Sequence, residues 1–158
     1  MPVNPIPEGY NTLSPFLAVD DAAAAIDFYA RAFGARERMR MGGPEGKIAH
    51  AEIQIGDSVV MLSDPFPQAT SKPPKELGGV SGGLFMYVED VDAVMQQAAD
   101  AGAEITMPAQ DMFWGDRFGS VTDPFGHQWQ IATHVEDVSE EEMAERSRQA
   151  MEQMAQQG

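Results

Sequence analysis

Trp114–His134 reads W-G-D-R-F-G-S-V-T-D-P-F-G-H-Q-W-Q-I-A-T-H. The spacing predicts two strands joined by a five-residue turn, Asp123-Pro124-Phe125-Gly126-His127. Proline fixes φ and removes a donor, and glycine tolerates φ > 0, so this cluster reverses the chain. Pairing Thr122 with Gln128 sets Ser120 opposite Gln130 and Phe118 opposite Ala132. Side chains alternate along a strand, so Phe118, Ser120, Gln128, Gln130 and Ala132 share one face. Trp129 and Ile131 point the other way, toward a core. A hairpin this polar on one face either lines a cavity or meets solvent.

Working outward, the same grammar occurs twice. Leu13–Val19 is a first strand, with Ser14, Phe16 and Ala18 on one face. Asp20 or Asp21 caps a helix that ends at Phe33, before Gly34, with Ile26, Tyr29, Ala30 and Phe33 as its apolar stripe. Ala35–Met41 is a second strand. Lys47–Ile55 alternates, and a Gly56-Asp57 turn leads into Ser58–Ser63. That two-residue turn pairs Ile55 with Ser58, so Glu52 faces Met61 and His50 faces Ser63. His50, Glu52, Gln54, Met61 and Ser63 share a face. After a Pro-rich connection the order returns. Gly83–Val88 is a strand, Asp90 caps a helix carrying Val91, Val94, Met95 and Ala98, Ala103–Met107 is a strand, and the Trp114 hairpin follows. The two halves read as copies of one βαβββ unit.

The expected fold is α+β, two tandem βαβββ modules forming a curved mixed sheet plus a C-terminal helix. Residues 10–64 are the first module, 65–82 a linker or lid, 83–134 the second module and 135–158 an amphipathic tail helix. Ser139 with Glu142 forms a capping box, and Met143, Ala150, Met151 and Met154 recur at helical spacing.

Composition excludes several classes. At 158 residues and 43% hydrophobic, the chain can bury a core. It has no apolar run near the roughly 18 residues that cross a bilayer. The start, Met1-Pro2-Val3-Asn4-Pro5, lacks the basic and apolar regions of a signal peptide. With no cysteine, disulfides, thiolate metal sites and a Cys nucleophile are excluded, and a reducing cytoplasm is the expected location. A net charge of −15 argues against nucleic acid and anionic membrane as partners. Phosphate loops and the dinucleotide fingerprint are absent.

Five stretches, P-F-L-A-V, H-A-E-I-Q-I-G-D-S, M-L-S-D, W-G-D-R-F-G and D-P-F-G-H-Q-W, together with F-Y-x-x-x-F-G, resemble the glyoxalase/bleomycin resistance/dioxygenase (vicinal oxygen chelate) superfamily, and within it the PhnB-like branch. The resemblance covers residues 10–137. It implies two half-barrels enclosing a cavity, a homodimer, and in many enzymes a divalent metal held by His and Glu. Strand matching carries the ligand positions onto Ser14 and its repeat Gly83, and onto Met61 and its repeat Gln130, both at an offset of 69 residues. None is His, Asp or Glu, so no metal and no cofactor is expected there.

The expected function is therefore a metal-free protein that binds and sequesters a small, partly apolar molecule, as resistance proteins of the superfamily do. The expected lining is Ser14, Phe16, His50, Glu52, Met61, Ser63, Trp114, Phe118, Ser120 and Gln130. The alternative is a lyase, isomerase or dioxygenase using His50 and Glu52 as catalytic residues, with or without a relocated divalent metal. The bland reading of that pair is a hydrogen-bonded His and Glu in the cavity wall. Arg117 is expected to pair with Asp116, and His127 and His134 to be turn and surface residues.

Overall fold

The computed structural model describes residues 2–158; Met1, the first residue of the signal-peptide reading, lies outside them. The first module runs β1 (Phe16–Ala18), α1 (Ala22–Phe33), β2 (Arg36–Gly42), β3 (Ile48–Ile55) and β4 (Ser58–Ser63). The linker carries α2 (Pro74–Leu77). The second module runs β5 (Leu84–Tyr87), α3 (Val91–Ala101), β6 (Glu104–Asp111), β7 (Asp116–Thr122) and β8 (Gln128–His134), and α4 (Glu140–Gln157) closes the chain. The strands form two four-stranded mixed sheets, ordered β1-β4-β3-β2 and β5-β8-β7-β6, one per module. In each, the first strand runs parallel to the last and the other pairs are antiparallel.

Local chemistry sets these boundaries. Asp21 accepts from the Ala24 amide at 3.0 Å and Asp90 from the Ala93 amide at 3.1 Å, so each long helix begins on an acidic cap. α1 stops at Gly34, whose φ of 67° turns its N–H back onto Ala30 and Tyr29. β1 starts at Phe16 rather than Leu13. Pro15 has no N–H for the ladder, although its carbonyl accepts from Met61 at 2.8 Å. β6 extends through Pro108 because it is an edge strand, and its register slips around Met107.

α1 and α3 pack against each other and against one face of each sheet, giving a single core that spans both modules. Leu17, Ile53, Val60 and Leu62 enter it from the first sheet, and Val121, Trp129 and Ile131 from the second. Each such buried side chain contributes about 1.5–3 kcal/mol. Tyr29 and Phe33 of α1 sit 5.3 and 4.7 Å from the Trp129 ring, and the Tyr29 hydroxyl donates to Asp123 at 2.5 Å. Asp123 also accepts from Trp129 Nε1 at 2.9 Å and from the amides of Phe125 and His127 at 2.9 and 3.0 Å. One carboxylate thus closes the β7–β8 turn and joins the modules.

The linker is anchored at its start and middle. Asp64 accepts from the Ala22 amide at 2.8 Å and the Ile48 amide at 2.7 Å. Pro73 and Pro74 are buried, and Pro74 lies so close to Gly126 that a Cβ there would sit 2.8 Å away. Arg117 bonds Asp92 at 2.7 Å and Asp111 at 3.2 Å instead of the neighbouring Asp116. Successive strand residues point to opposite faces, so Arg117 and Asp116 diverge. At α4, Ser139 accepts from the Glu142 amide at 3.2 Å, while the Glu142 carboxylate turns to Arg146. Met151 and Met154 stay exposed. Among the described residues no helix is long and apolar enough to cross a membrane.

Candidate functional site

The helices cover one face of each sheet. The opposite faces are open, and the alternation of the strands decides what they carry. On the first sheet, Phe16 registers with Met61, Met61 with Glu52 and Glu52 with Met39, while His50 registers with Met41 and Ser63 with Ala18. Phe16 is 49% exposed and Met41 54%, so the two edge strands of this sheet, β1 and β2, each present a large apolar side chain to solvent on this face. Glu52 is buried there and its oxygens are engaged. His50 Nε2 lies 2.9 Å from Oε2, and the Tyr10 hydroxyl donates to Oε1. The Phe16 and His50 rings are 5.7 Å apart, and the Arg38 guanidinium lies 4.5 Å over the Tyr10 ring. Burial pushes the Glu52 carboxyl upward, but the hydrogen bonds from Tyr10 and His50 with Arg38 nearby outweigh it and hold it below the usual glutamate range. The bond to Glu52 in turn raises the Tyr10 phenol.

On the second sheet, one row is Phe85, Gln130, Ser120 and Met107; the next is Tyr87, Ala132, Phe118 and Gln110; beyond it His134 registers with Asp116. Four aromatic rings form a wall. Phe85 lies 5.2 Å from Tyr87 and 5.8 Å from Phe118, and Trp114 meets Phe118 edge-on at 5.8 Å. Asp116 is buried and fastens the wall, accepting from the Tyr87 hydroxyl at 2.9 Å, Trp114 Nε1 at 3.1 Å and His134 Nδ1 at 2.9 Å. Burial pushes the Asp116 carboxyl up, but these three donors overcome it and hold it below the usual aspartate range. Asp137, then Asp116, raise the His134 imidazole.

That shift has a testable sign. A raised folded value means the stability drawn from His134 is complete below the free-histidine range, about 6.5, and is lost as pH rises through the folded value. The melting temperature of the wild type should fall across this window by more than that of His134→Gln, in a pH series of thermal scans.

Of the residues singled out in the sequence, Phe16, His50, Glu52, Met61 and Ser63 lie together on the first open face, and Phe118, Ser120 and Gln130 with Trp114 on the second. Ser14 is half-buried and precedes β1. The residues in register with Met61 and Gln130 are Phe16 and Phe85, which keep the offset of 69 residues. A phenyl ring stands beside a thioether in one sheet and beside an amide in the other, and these donors do not fit a divalent metal. Among the described residues no group of three or more His, Cys, Asp or Glu is placed to hold one.

Tyr10, Phe85, Tyr87, Asp116 and His134 were not expected in the site. Phe85 and Tyr87 had a signal, since the offset maps Phe16 onto Phe85. Tyr10 had none, because its Pro- and Gly-punctuated segment has no period. A concavity of about 1130 Å³ runs along the seam between the modules and includes Leu13, Phe33, Leu84, Val94 and Trp129. It touches the aromatic wall at Phe85 and Tyr87 but reaches neither His50 nor Glu52. The open faces, where the functional groups gather, therefore carry more weight than the seam.

A model of the glyoxalase/bleomycin resistance protein/dioxygenase superfamily matches residues 11–131. The chain belongs to this superfamily. Within it, the chain is 47% identical over 134 residues to the uncharacterized protein Mb0911c of Mycobacterium bovis, covering 83% of this chain and 88% of that one. Among solved structures, TioX from Micromonospora sp. ML1 matches with a TM-score of 0.63 at 32% identity, over 79% of this chain and 99% of that one. A PhnB protein from Bacillus cereus shares the fold at a TM-score of 0.61 and 21% identity, over 78% of this chain and 99% of that one.

Proposed function

We propose that this superfamily member is a metal-free small-molecule-binding protein that sequesters a partly apolar, aromatic ligand. The observation that carries the reading is the wall of Phe85, Tyr87, Phe118 and Trp114, with Phe85 and Tyr87 exposed and Phe118 and Trp114 half-buried, on a sheet whose other face is a packed core. Aromatic rings held in place by a buried carboxylate offer a preformed stacking surface at little entropic cost. The matching open face of the first sheet, with Phe16, Met39 and Met41 exposed, suits a second copy of the chain. Two such faces opposed would turn two exposed surfaces into one cavity, and a homodimer is the natural assembly.

Titration calorimetry against a panel of aromatic metabolites and antibiotics tests the reading. At least one compound should bind, and Phe118→Ala should weaken it by about 1–3 kcal/mol, the scale of one aromatic contact in a pocket. Silence from every compound would end it. Light scattering should give twice the chain mass.

A second reading rests on Tyr10, Glu52 and His50, whose linked hydrogen bonds form a base with two orienting partners. In an enzyme of the superfamily this group would abstract a proton. Its residues are already engaged with one another, which favours a wall over a metal site. Elemental analysis of protein purified without chelator, before and after dialysis against zinc, nickel, iron or manganese, should return far less than one ion per chain. One ion per chain, lost in Glu52→Ala, would reverse that order.

A further inference from the structure

The aromatic wall ends in a charged group that stacking alone does not require. His134 sets each ring nitrogen against a carboxylate, Nδ1 at 2.9 Å from Asp116 and Nε2 at 2.8 Å from Asp137. Facing a carboxylate on each side suits an imidazole that carries both protons, and hence a positive charge. The two carboxylates differ in kind. Asp116 is 3% exposed and holds Tyr87 and Trp114 as well, so it is a fixture of the wall. The Asp137 side chain is fully exposed, at 102%, and its one side-chain hydrogen bond among the described residues is to His134. The inner proton is thus locked, and the outer one is covered by a carboxylate that can swing away into water.

We propose that His134 Nε2–H is an anion-binding point of the ligand site, that Asp137 occupies it in the unliganded chain, and that the ligand is an aromatic compound carrying an acidic oxygen group whose ring stacks on Trp114, Phe118 and Phe85. This rests on the reading that the aromatic wall binds the ligand. The wall and the imidazolium are joined through Asp116, so one flat molecule with an anionic substituent reaches both. Exchanging Asp137 for the ligand's anion keeps one anionic acceptor on Nε2–H before and after, while the released carboxylate passes into water and the complex carries one more negative charge than the chain's −15. The nearby charged groups are then Asp116, already satisfied, the released Asp137, and Glu136 paired with Arg146, which also holds the Phe113 carbonyl. A neutral ligand would leave Asp137 in place and draw nothing from His134.

Two fluorescent probes with the same ring system separate these contributions. 1-Anilinonaphthalene-8-sulfonate carries the anion, and N-phenyl-1-naphthylamine lacks it. Both are titrated at pH 6 into the full-length wild type, His134→Gln and Asp137→Asn. Loss of the imidazolium should weaken sulfonate binding by about fivefold, the scale of a half-exposed charge-assisted contact. Removal of the competing carboxylate should tighten it by a similar factor, and Asp137 is a surface residue whose substitution leaves the fold intact. The neutral probe should bind all three proteins alike. Sulfonate affinity unchanged in His134→Gln, or the neutral probe shifting in parallel with it, would overturn the anion site while leaving the stacking wall standing. Failure of both probes to bind the wild type would overturn the site and the reading it rests on together.

Discussion

Asp123→Ala should cost about 3–5 kcal/mol of stability, seen as a drop of roughly 10 °C in melting temperature for a chain of this size. Asp123 is 4% exposed and takes four hydrogen bonds, two from the amides of Phe125 and His127 and two from the side chains of Tyr29 and Trp129. Alanine leaves all four donors without their acceptor, in a core too tight for water to reach them all. Burial, followed by the Asp123 charge, pushes the Tyr29 phenol well above its ordinary value, so the hydroxyl remains a donor throughout the working pH range. Asp123→Asn should cost less, about 1–3 kcal/mol. Its oxygen can keep the two turn amides, and the Tyr29 hydroxyl can rotate to accept from the new amide, leaving the Trp129 indole as the one donor without a partner. Urea unfolding of the three proteins checks the ranking. Equal midpoints for Asp123→Ala and wild type would mean that ring packing and the remaining cross-module hydrogen bonds, such as His127 Nε2 with the Ala18 carbonyl at 2.8 Å, hold the modules without the Asp123 carboxylate.

Much of this is legible in the sequence, for identifiable reasons. The register of β7 against β8 follows from turn length and alternation, because a slip of one residue would send Trp129 and Ile131 into solvent. The β3–β4 register follows in the same way from Gly56-Asp57. The repeat was legible because both modules solve the same capping problem, Asp21 in one and Asp90 in the other. Pairing that depends on tertiary direction was not legible. Arg117 adjoins Asp116 in sequence, yet alternation sends one to Asp92 and the other to the aromatic wall. The part of Asp123 that joins modules was hidden as well, since D-P-F-G-H reads as a turn and Tyr29 lies 94 residues away. Within the site, residue types in regular strands could be assigned to a face. Tyr10 could not, because an aperiodic segment is placed by its contacts rather than by its own pattern.

The same distinction governs Gly115, the middle of W-G-D, where substitution should reach from backbone to ligand. Gly115 has φ 100°, which L-residues other than glycine rarely adopt, and a Cβ there would lie 2.2 Å from the Glu136 carbonyl oxygen and 3.1 Å from Val138. The first obstacle is backbone and cannot rotate away. The Gly115 carbonyl also accepts from the amides of Val135 and Glu136 at 2.9 and 3.0 Å, so the residue seats the tail against the loop that carries Trp114. Gly115→Ala must push these segments apart, at about 2–4 kcal/mol from strain and overlap combined. Trp114 and Asp116 flank the position, so the displacement also releases the indole from the carboxylate that orients it, and Tyr87 and His134 lose the same anchor. The expected result is a lower melting temperature together with weaker binding of the neutral naphthylamine probe, because the stacking wall itself is disturbed. His134→Gln should leave that probe untouched. Near-unchanged neutral-probe binding in Gly115→Ala, with stability reduced, would show that the wall holds its shape through ring packing and does not depend on Asp116 to fasten it.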